Sequence, residues 1–120
     1  MTKIAYNSTY GGFGLSDKAF KMLLDRKGIK WEVRKGMYGR NEIYKVGDGP
    51  DANPLWDHRF TENRTDPDLV AVIEELGEAA NDGYSSLAIA EVPSGVRYRI
   101  DEYDGSESVM TIDDYDWLTA

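Results

Sequence analysis

The chain of 120 residues contains no cysteine, one histidine and four prolines. Without cysteine it can form no disulfide, iron–sulfur cluster or Cys-based zinc site. A single histidine excludes a metal centre built on several histidine ligands. No apolar run approaches the roughly 20 residues that cross a bilayer, and the N-terminal MTKIAYN lacks the apolar core of a signal peptide. We therefore expect a soluble protein made inside a cell, with no metal and no cofactor.

The composition is that of a packed domain. Hydrophobic residues make up 41% of the chain, and three Phe, eight Tyr and three Trp are available to fill a core. A domain of this size buries roughly two thirds of its unfolded surface. We predict a single domain over residues 1–120, with an irregular excursion at about 47–65 and an acidic tail at about 113–120.

Charge is divided between two halves of the chain. Residues 1–47 hold ten basic and four acidic groups, whereas residues 48–120 hold four basic and eighteen acidic groups. From Asp101 to the end there are seven carboxylates and no Lys or Arg. Such a field repels nucleic acid and attracts basic surfaces. We therefore do not expect direct nucleic-acid binding, and a solvated acidic face that keeps the protein soluble is the simpler alternative.

The apolar spacing predicts two amphipathic helices among short strands. Ser16 is a good N-cap for the first helix, and Gly28 is a natural stop. Asp66-Pro67 opens the second, which we expect to end near residues 81–83. Strands are predicted at 3–6, 29–34 and 42–46, followed by a meander over 86–92, 96–103 and 107–112. This order predicts an α+β fold of two layers, with both helices on one face of a mainly antiparallel sheet.

The Gly-rich turn before the first helix is one candidate site. Free N–H groups and the positive end of a helix dipole converge at such a turn, although its spacing matches no known phosphate loop. A small anionic ligand there would use these residues: Asn7, Ser8, Thr9, Tyr10, Gly11, Gly12, His58, Arg59 and Arg64. The alternative is that the glycines only let the backbone turn tightly, and Gly12 beside Phe13 is then the more sensitive position.

The acidic C-terminal third is the other candidate site. Carboxylates at strand and turn positions, with aromatic residues among them, can imitate a phosphate backbone and add anchors for a basic partner. The predicted partner-binding residues are Asp101, Glu102, Tyr103, Asp104, Glu107, Asp113, Asp114, Tyr115, Asp116 and Trp117. No catalytic residue is predicted, because no Ser or Cys lies in a recognisable nucleophile setting.

Three segments of the chain carry motifs that belong together. They are Tyr6-Asn7 followed by YGGFGLS at residues 10–16, RTDPDLVAVIEELGEAAN at 64–81, and IAEVPSGVRYRI followed by DEYDG, which ends at residue 105, with Glu107 and Val109 beyond it. Together they resemble a family of small, mostly uncharacterised proteins common in bacteriophage genomes. The resemblance supplies no catalytic residues, and it does not extend to residues 29–63 or to the end after Thr111.

The resemblance implies a viral origin, and small phage proteins often bind and disable a host machine. We therefore predict a non-catalytic inhibitor that works in the cytoplasm of a host bacterium. Its partner would be a host protein, such as a nucleic-acid-binding defence complex, which it would hold in an anti-CRISPR-like manner as a DNA mimic. The alternative is a sponge for a nucleotide signal, with its ligand at the Gly-rich turn.

Overall fold

The structure, a computed structural model, describes residues 1–35, 41–47, 49 and 53–111. Its elements, in chain order, are β1 (Thr2–Asn7), α1 (Asp17–Arg26), β2 (Trp31–Lys35), β3 (Asn41–Lys45), α2 (Pro67–Leu76), β4 (Leu87–Val92), β5 (Tyr98–Tyr103) and β6 (Ser106–Thr111). Short 3₁₀ segments cover Asp57–Phe60 and Gly77–Ala80. The predicted α+β class and its antiparallel strands are confirmed.

The described strands form three two-stranded antiparallel sheets, where the sequence predicted one larger sheet. β2 pairs with β3 and β5 with β6, as expected for hairpins. β4, however, does not continue a meander into β5; it pairs with β1, from Thr2 opposite Val92 to Asn7 opposite Leu87. Ile4 and Ala5 of β1 are fully buried, so their strand needs a hydrogen-bonding partner inside the protein. β4 provides that partner.

Both helices begin at the predicted caps. The Ala19 amide donates to the Ser16 hydroxyl over 3.1 Å, and the Asp68 amide donates to the Asp66 carboxylate over 3.0 Å. α1 ends before Gly28, whose φ of 72° suits glycine. α2 ends at Leu76, earlier than predicted, because Gly77 has a φ of 56° and the chain tightens into the 3₁₀ segment that follows.

The core lies where the two helices meet the β1–β4 sheet. α1 packs against α2, and α2 packs against both strands of that sheet. The buried cluster consists of Ala5, Leu15, Ala19, Phe20, Leu23, Leu24, Ile43, Leu69, Val72, Ile73 and Ala80. This core fixes the two chain segments that leave it, the Gly-rich turn after β1 and the loop before β4.

The β5–β6 hairpin turns through Asp104 and Gly105, which have φ angles of 55° and 87°. Two consecutive residues with positive φ suit the tight two-residue hairpin loop that an Asp-Gly pair predicts. The hairpin packs beside β1. In the part of the chain described, no helix is long and apolar enough to cross a membrane.

Candidate functional site

The side chain of Asn7, at the end of β1, is fully buried and joins three segments of the chain. Its Nδ2 donates to the carbonyls of Thr9 and Gly105 over 2.7 and 2.8 Å. Its Oδ1 accepts a 2.8 Å hydrogen bond from the Ser86 amide. Asn7 was a predicted ligand-binding residue, but its amide is committed to the backbone. That placement arises because a buried amide needs partners, and three loops supply them.

Arg64 and Glu107 form an ion pair next to Asn7. The guanidinium contacts both carboxylate oxygens, over 2.6 and 3.0 Å, and the side chains are 19% and 10% exposed. The Glu107 carboxylate also accepts a hydrogen bond from the backbone amide of Asn7, and Arg64 donates to the Thr61 carbonyl. The guanidinium lies 3.8 Å from the centre of the Phe13 ring. Neither charge is therefore presented outward.

Two sequence predictions concern the members of this pair. Glu107 was placed on the partner-binding surface, and Arg64 was expected to hold an anion. A bidentate guanidinium–carboxylate contact uses the donors and acceptors that either role would need. Because Arg64 and Glu107 are 43 positions apart, their local sequences do not predict the ion pair.

The Gly-rich turn is a point of close backbone contact. Gly11 and Gly12 have φ angles of 116° and 90°, which confirms the predicted need for glycine. A Cβ on Gly11 would overlap the carbonyl oxygen of Tyr84, and a Cβ on Gly105 would overlap the amide nitrogens of Gly11 and Gly12. A Cβ on Gly12 would meet nothing within 4 Å. The turn therefore packs against the loop before β4 on one side and the hairpin tip on the other.

Protein groups already occupy the start of α1. Asp57 accepts the Leu15 amide over 3.1 Å, and the Ser16 amide donates to the Ala80 carbonyl over 2.8 Å. The Ser16 hydroxyl caps the helix and donates to the Ala79 carbonyl. A carboxylate of the chain thus sits beside the helix start, where an anionic ligand was predicted to bind.

A cleft of about 370 Å³ lies between the Gly-rich turn, the 3₁₀ segment Asp57–Phe60 and the β5–β6 hairpin. His58, Glu62 and Glu102 line it together with the Arg64–Glu107 pair. Because Arg64 is already neutralised by Glu107, the two remaining carboxylates leave the cleft negative. Arg59, another predicted anion partner, lines a separate depression with Lys27, Phe60 and Asp66.

The remaining predicted ligand residues contact only the chain itself or solvent. The Ser8 hydroxyl is exposed and donates to the Ser86 carbonyl. Thr9 serves the Asn7 amide through its backbone. Tyr10 is 64% exposed. The structure therefore brings Gly12, His58 and Arg64 to one cleft but does not gather the whole predicted set.

The described part of the acidic surface is the tip of the β5–β6 hairpin. Tyr103 is 76% exposed, and Glu102 and Asp104 on either side of it are exposed as well. Among the residues described, neither carboxylate has a cationic partner, whereas Asp101 pairs with Arg99 over 2.8 Å. Five predicted residues lie outside the described part of the chain: Asp113, Asp114, Tyr115, Asp116 and Trp117.

The structure adds two residues that the sequence did not single out. Tyr84 is 76% exposed in the loop before β4, and its amide donates to the exposed Asp82 over 2.8 Å. The Asn81-Asp82-Gly83 stretch signals only a turn. The position of Tyr84 beside Gly11 depends on the pairing of β1 with β4, which the local sequence does not reveal.

Within the described ranges, no group of three or more His, Asp or Glu side chains is placed to hold a metal ion. Comparisons with protein-family models, with curated proteins and with solved structures found no match for this chain. Its function must therefore be argued from the geometry of its own residues.

Proposed function

We propose that the protein acts without catalysis, by binding a basic surface of a partner protein at the tip of its β5–β6 hairpin. The observation that carries the proposal is the pair of exposed carboxylates, Glu102 and Asp104, on either side of the exposed Tyr103. Aromatic residues beside charges are the usual anchors of protein interfaces. Uncompensated carboxylates also speed encounter with a basic surface.

The contacts next to the turn support this role because they hold the hairpin tip in place. Glu107, three residues beyond Asp104, is held by Arg64 and by the backbone amide of Asn7. The Gly105 amide also donates to the Glu102 carboxylate over 2.7 Å. A tip held in place loses little conformational entropy on binding, and this favours affinity.

The nature of the partner is also part of the proposal. The acidic tip is suited to a groove that ordinarily holds a phosphate backbone, in the manner of a DNA mimic. The resemblance to bacteriophage proteins points to bacterial host proteins, in particular nucleic-acid-binding defence complexes. Inhibition of such a complex, in an anti-CRISPR-like way, would follow from occupation of its groove.

The nucleotide-sponge alternative receives less support from the geometry. It needs free cationic groups near the Gly-rich turn, but Arg64 is paired and Arg59 lies in a separate depression. The cleft that remains carries Glu62 and Glu102. An anionic ligand would be repelled there.

The proposal is tested by neutralising the tip without changing its shape. Wild-type protein and the Glu102→Gln/Asp104→Asn variant are immobilised and exposed to a bacterial lysate, and retained proteins are quantified by mass spectrometry. The matched control is Glu75→Gln/Glu78→Gln, which removes the same charge from two exposed carboxylates on α2 and just beyond it. We expect a basic partner that the wild type and the control retain and the tip variant loses.

The affinity of that purified partner should fall at least about tenfold for the tip variant, which corresponds to roughly 1.4 kcal/mol. Thermal melting of each variant checks that the fold is intact. A partner bound equally by the tip variant, or lost equally by the control, would show that the hairpin tip is not the binding surface. Retention of no protein would also reject the proposal.

A further inference from the structure

Three tyrosines are unusually open to solvent and come from different parts of the chain. Tyr10 is 64% exposed, and Tyr84 and Tyr103 are each 76% exposed. A tyrosine ring carries a large apolar area, and its exposure to water is unfavourable unless something covers it. Single exposed aromatics are common, so the position of these three relative to one another decides whether they matter.

The backbone brings their three segments together. Gly11, next to Tyr10, lies so close to Tyr84 that a Cβ would overlap the Tyr84 carbonyl oxygen. Gly105, two residues after Tyr103, lies equally close to the Gly11 and Gly12 amides. We call the region of Tyr10, Tyr84 and Tyr103 the tyrosine surface.

Asn7 holds these segments in one arrangement. Its buried side chain bonds to Thr9 beside Tyr10, to Ser86 beyond Tyr84, and to Gly105 beyond Tyr103. Each hydrogen bond therefore reaches one of the three segments that carry a tyrosine. A binding surface that is ordered before the partner arrives loses less entropy on binding.

The charges at this surface indicate which side chains it would bind. In the sequence, Asp82 lies two residues before Tyr84, and Glu102 and Asp104 are the neighbours of Tyr103. In the described ranges none of these three carboxylates is in a salt bridge. Arginine suits such a surface, because its planar guanidinium stacks on aromatic rings and pairs with carboxylates through two parallel hydrogen bonds. Lysine is a compact, strongly hydrated charge and gains less from the rings.

We propose that the tyrosine surface binds arginine side chains of a basic partner segment, with the rings stacking on the guanidinium groups and Asp82, Glu102 and Asp104 pairing with them. The inference rests on the proposed function, since it extends the partner-binding surface from the hairpin tip to the Gly-rich turn and the loop before β4. It adds a preference for arginine that acidic charge alone does not give.

The test compares two labelled peptides of equal charge, octa-arginine and octa-lysine, by fluorescence anisotropy at an ionic strength of about 0.15 M. The wild type should bind octa-arginine about fivefold more tightly than octa-lysine. The Tyr10→Ala/Tyr84→Ala/Tyr103→Ala variant should lose that preference, and the matching Tyr→Phe variant, which keeps the rings, should retain it.

Tyr98→Ala is the matched control. Tyr98 is on the same hairpin and 41% exposed, but it pairs with Thr111 at the opposite end from the tip, where Tyr103 pairs with Ser106. Tyr98 and Tyr103 are five positions apart along the strand, a distance of about 17 Å. The control should therefore preserve the preference for arginine.

The outcomes separate this inference from the proposed function. Equal wild-type affinity for the two peptides, or an unchanged preference in the triple alanine variant, overturns the tyrosine surface alone. If Glu102→Gln/Asp104→Asn weakens binding of both peptides in that case, the acidic tip still stands. If neither set of substitutions changes binding, both proposals fail.

Discussion

At the residue scale, the contacts around Asn7 depend on two glycines, Gly11 and Gly105, at which an added Cβ would overlap backbone atoms. The side-chain amide of Asn7 forms hydrogen bonds with backbone groups of three segments. Those segments can approach closely because Gly11 and Gly105 have no Cβ. Burial of the amide is stable because its Nδ2 donates twice and its Oδ1 accepts once. The close packing of the three segments and the hydrogen bonds of the Asn7 side chain therefore depend on each other.

Gly11 and Gly12 provide a direct comparison of strain and overlap. Both have positive φ, so an alanine at either position strains the backbone and costs roughly 1 kcal/mol or more. Only at Gly11 would the new Cβ also overlap the Tyr84 carbonyl. We expect Gly11→Ala to destabilise the protein by at least about 1 kcal/mol more than Gly12→Ala, as measured by urea unfolding.

Equal destabilisation by the two substitutions would contradict this contact. The sequence placed the sensitive position at Gly12, because Phe13 follows it. The structure shifts it to Gly11, since the atom that a Cβ would meet belongs to a loop 73 residues away in the sequence.

At the scale of elements, the β5–β6 hairpin forms no sheet with any other described strand. It is attached beside β1 chiefly by the Glu107 carboxylate, which contacts the Arg64 guanidinium and accepts a hydrogen bond from the backbone amide of Asn7. A hairpin of two strands has little stability of its own in water. Its position therefore depends strongly on one ion pair and the hydrogen bonds around it.

Removal of either member of this pair leaves a mostly buried charge without its partner. We expect Arg64→Ala and Glu107→Ala each to lower the free energy of unfolding by about 2–3 kcal/mol. The double variant should lose less than the sum of the two single losses, because the second substitution removes an already unpaired charge. Chemical denaturation of the four proteins gives the coupling energy.

Asp101→Ala is the control on the same hairpin. Its partner is Arg99, and the two side chains are 43% and 60% exposed, so we expect a loss below about 1 kcal/mol. Additive effects of Arg64→Ala and Glu107→Ala would argue that the ion pair does not attach the hairpin.

The elements also show which features of this fold can be predicted locally. The starts of both helices were correct, because the caps Ser16 and Asp66 and the residue Pro67 act within one turn. The predicted partner of β4, the strand β5, was wrong. β4 pairs with β1, and this pairing joins residues such as Thr2 and Val92 that lie far apart in the sequence. The candidate site depended on the same pairing, so its members could be proposed but their contacts could not.

At the scale of the whole molecule, ion pairs join the basic first half to the acidic second half. Lys3 contacts Glu74 over 2.9 Å, and Lys27 contacts Asp66 over 2.6 Å. Arg26 reaches Asp68 over 3.4 Å. The charge asymmetry of the sequence therefore serves partly to hold the fold together, in addition to any role on the surface.

Lys27 makes this attraction measurable as a dependence of stability on pH. Its hydrogen bond to Asp66 raises the Lys27 pKa above 10.5, despite an opposing effect of burial. A raised pKa in the folded state means that the contribution is complete below pH 10.5 and is lost as the pH rises through the folded value. Wild-type stability should therefore fall more steeply than that of Lys27→Met as the pH rises above 10.5.

Urea unfolding at several alkaline pH values checks this prediction. Lys18→Met is the control, since Lys18 is exposed on α1, the helix that ends next to Lys27, and forms no described ion pair. It should follow the wild-type profile. A Lys27→Met profile parallel to that of the wild type would exclude Lys27 as a source of alkaline sensitivity.

The antiparallel pairing of β1 with β4 also sets an order for folding. α1 and the β2–β3 hairpin join residues close in sequence, so they can form early, whereas the partners Thr2 and Val92 must first close a long loop. The bond between Asn7 and Glu107 spans 100 positions and requires even more of the chain. During synthesis on the ribosome, β1 emerges before the other described elements and can be paired only after β4 has been made. The tyrosine surface is consequently among the last parts of the molecule to form, and the arginine binding proposed for it would require a chain whose folding is nearly complete.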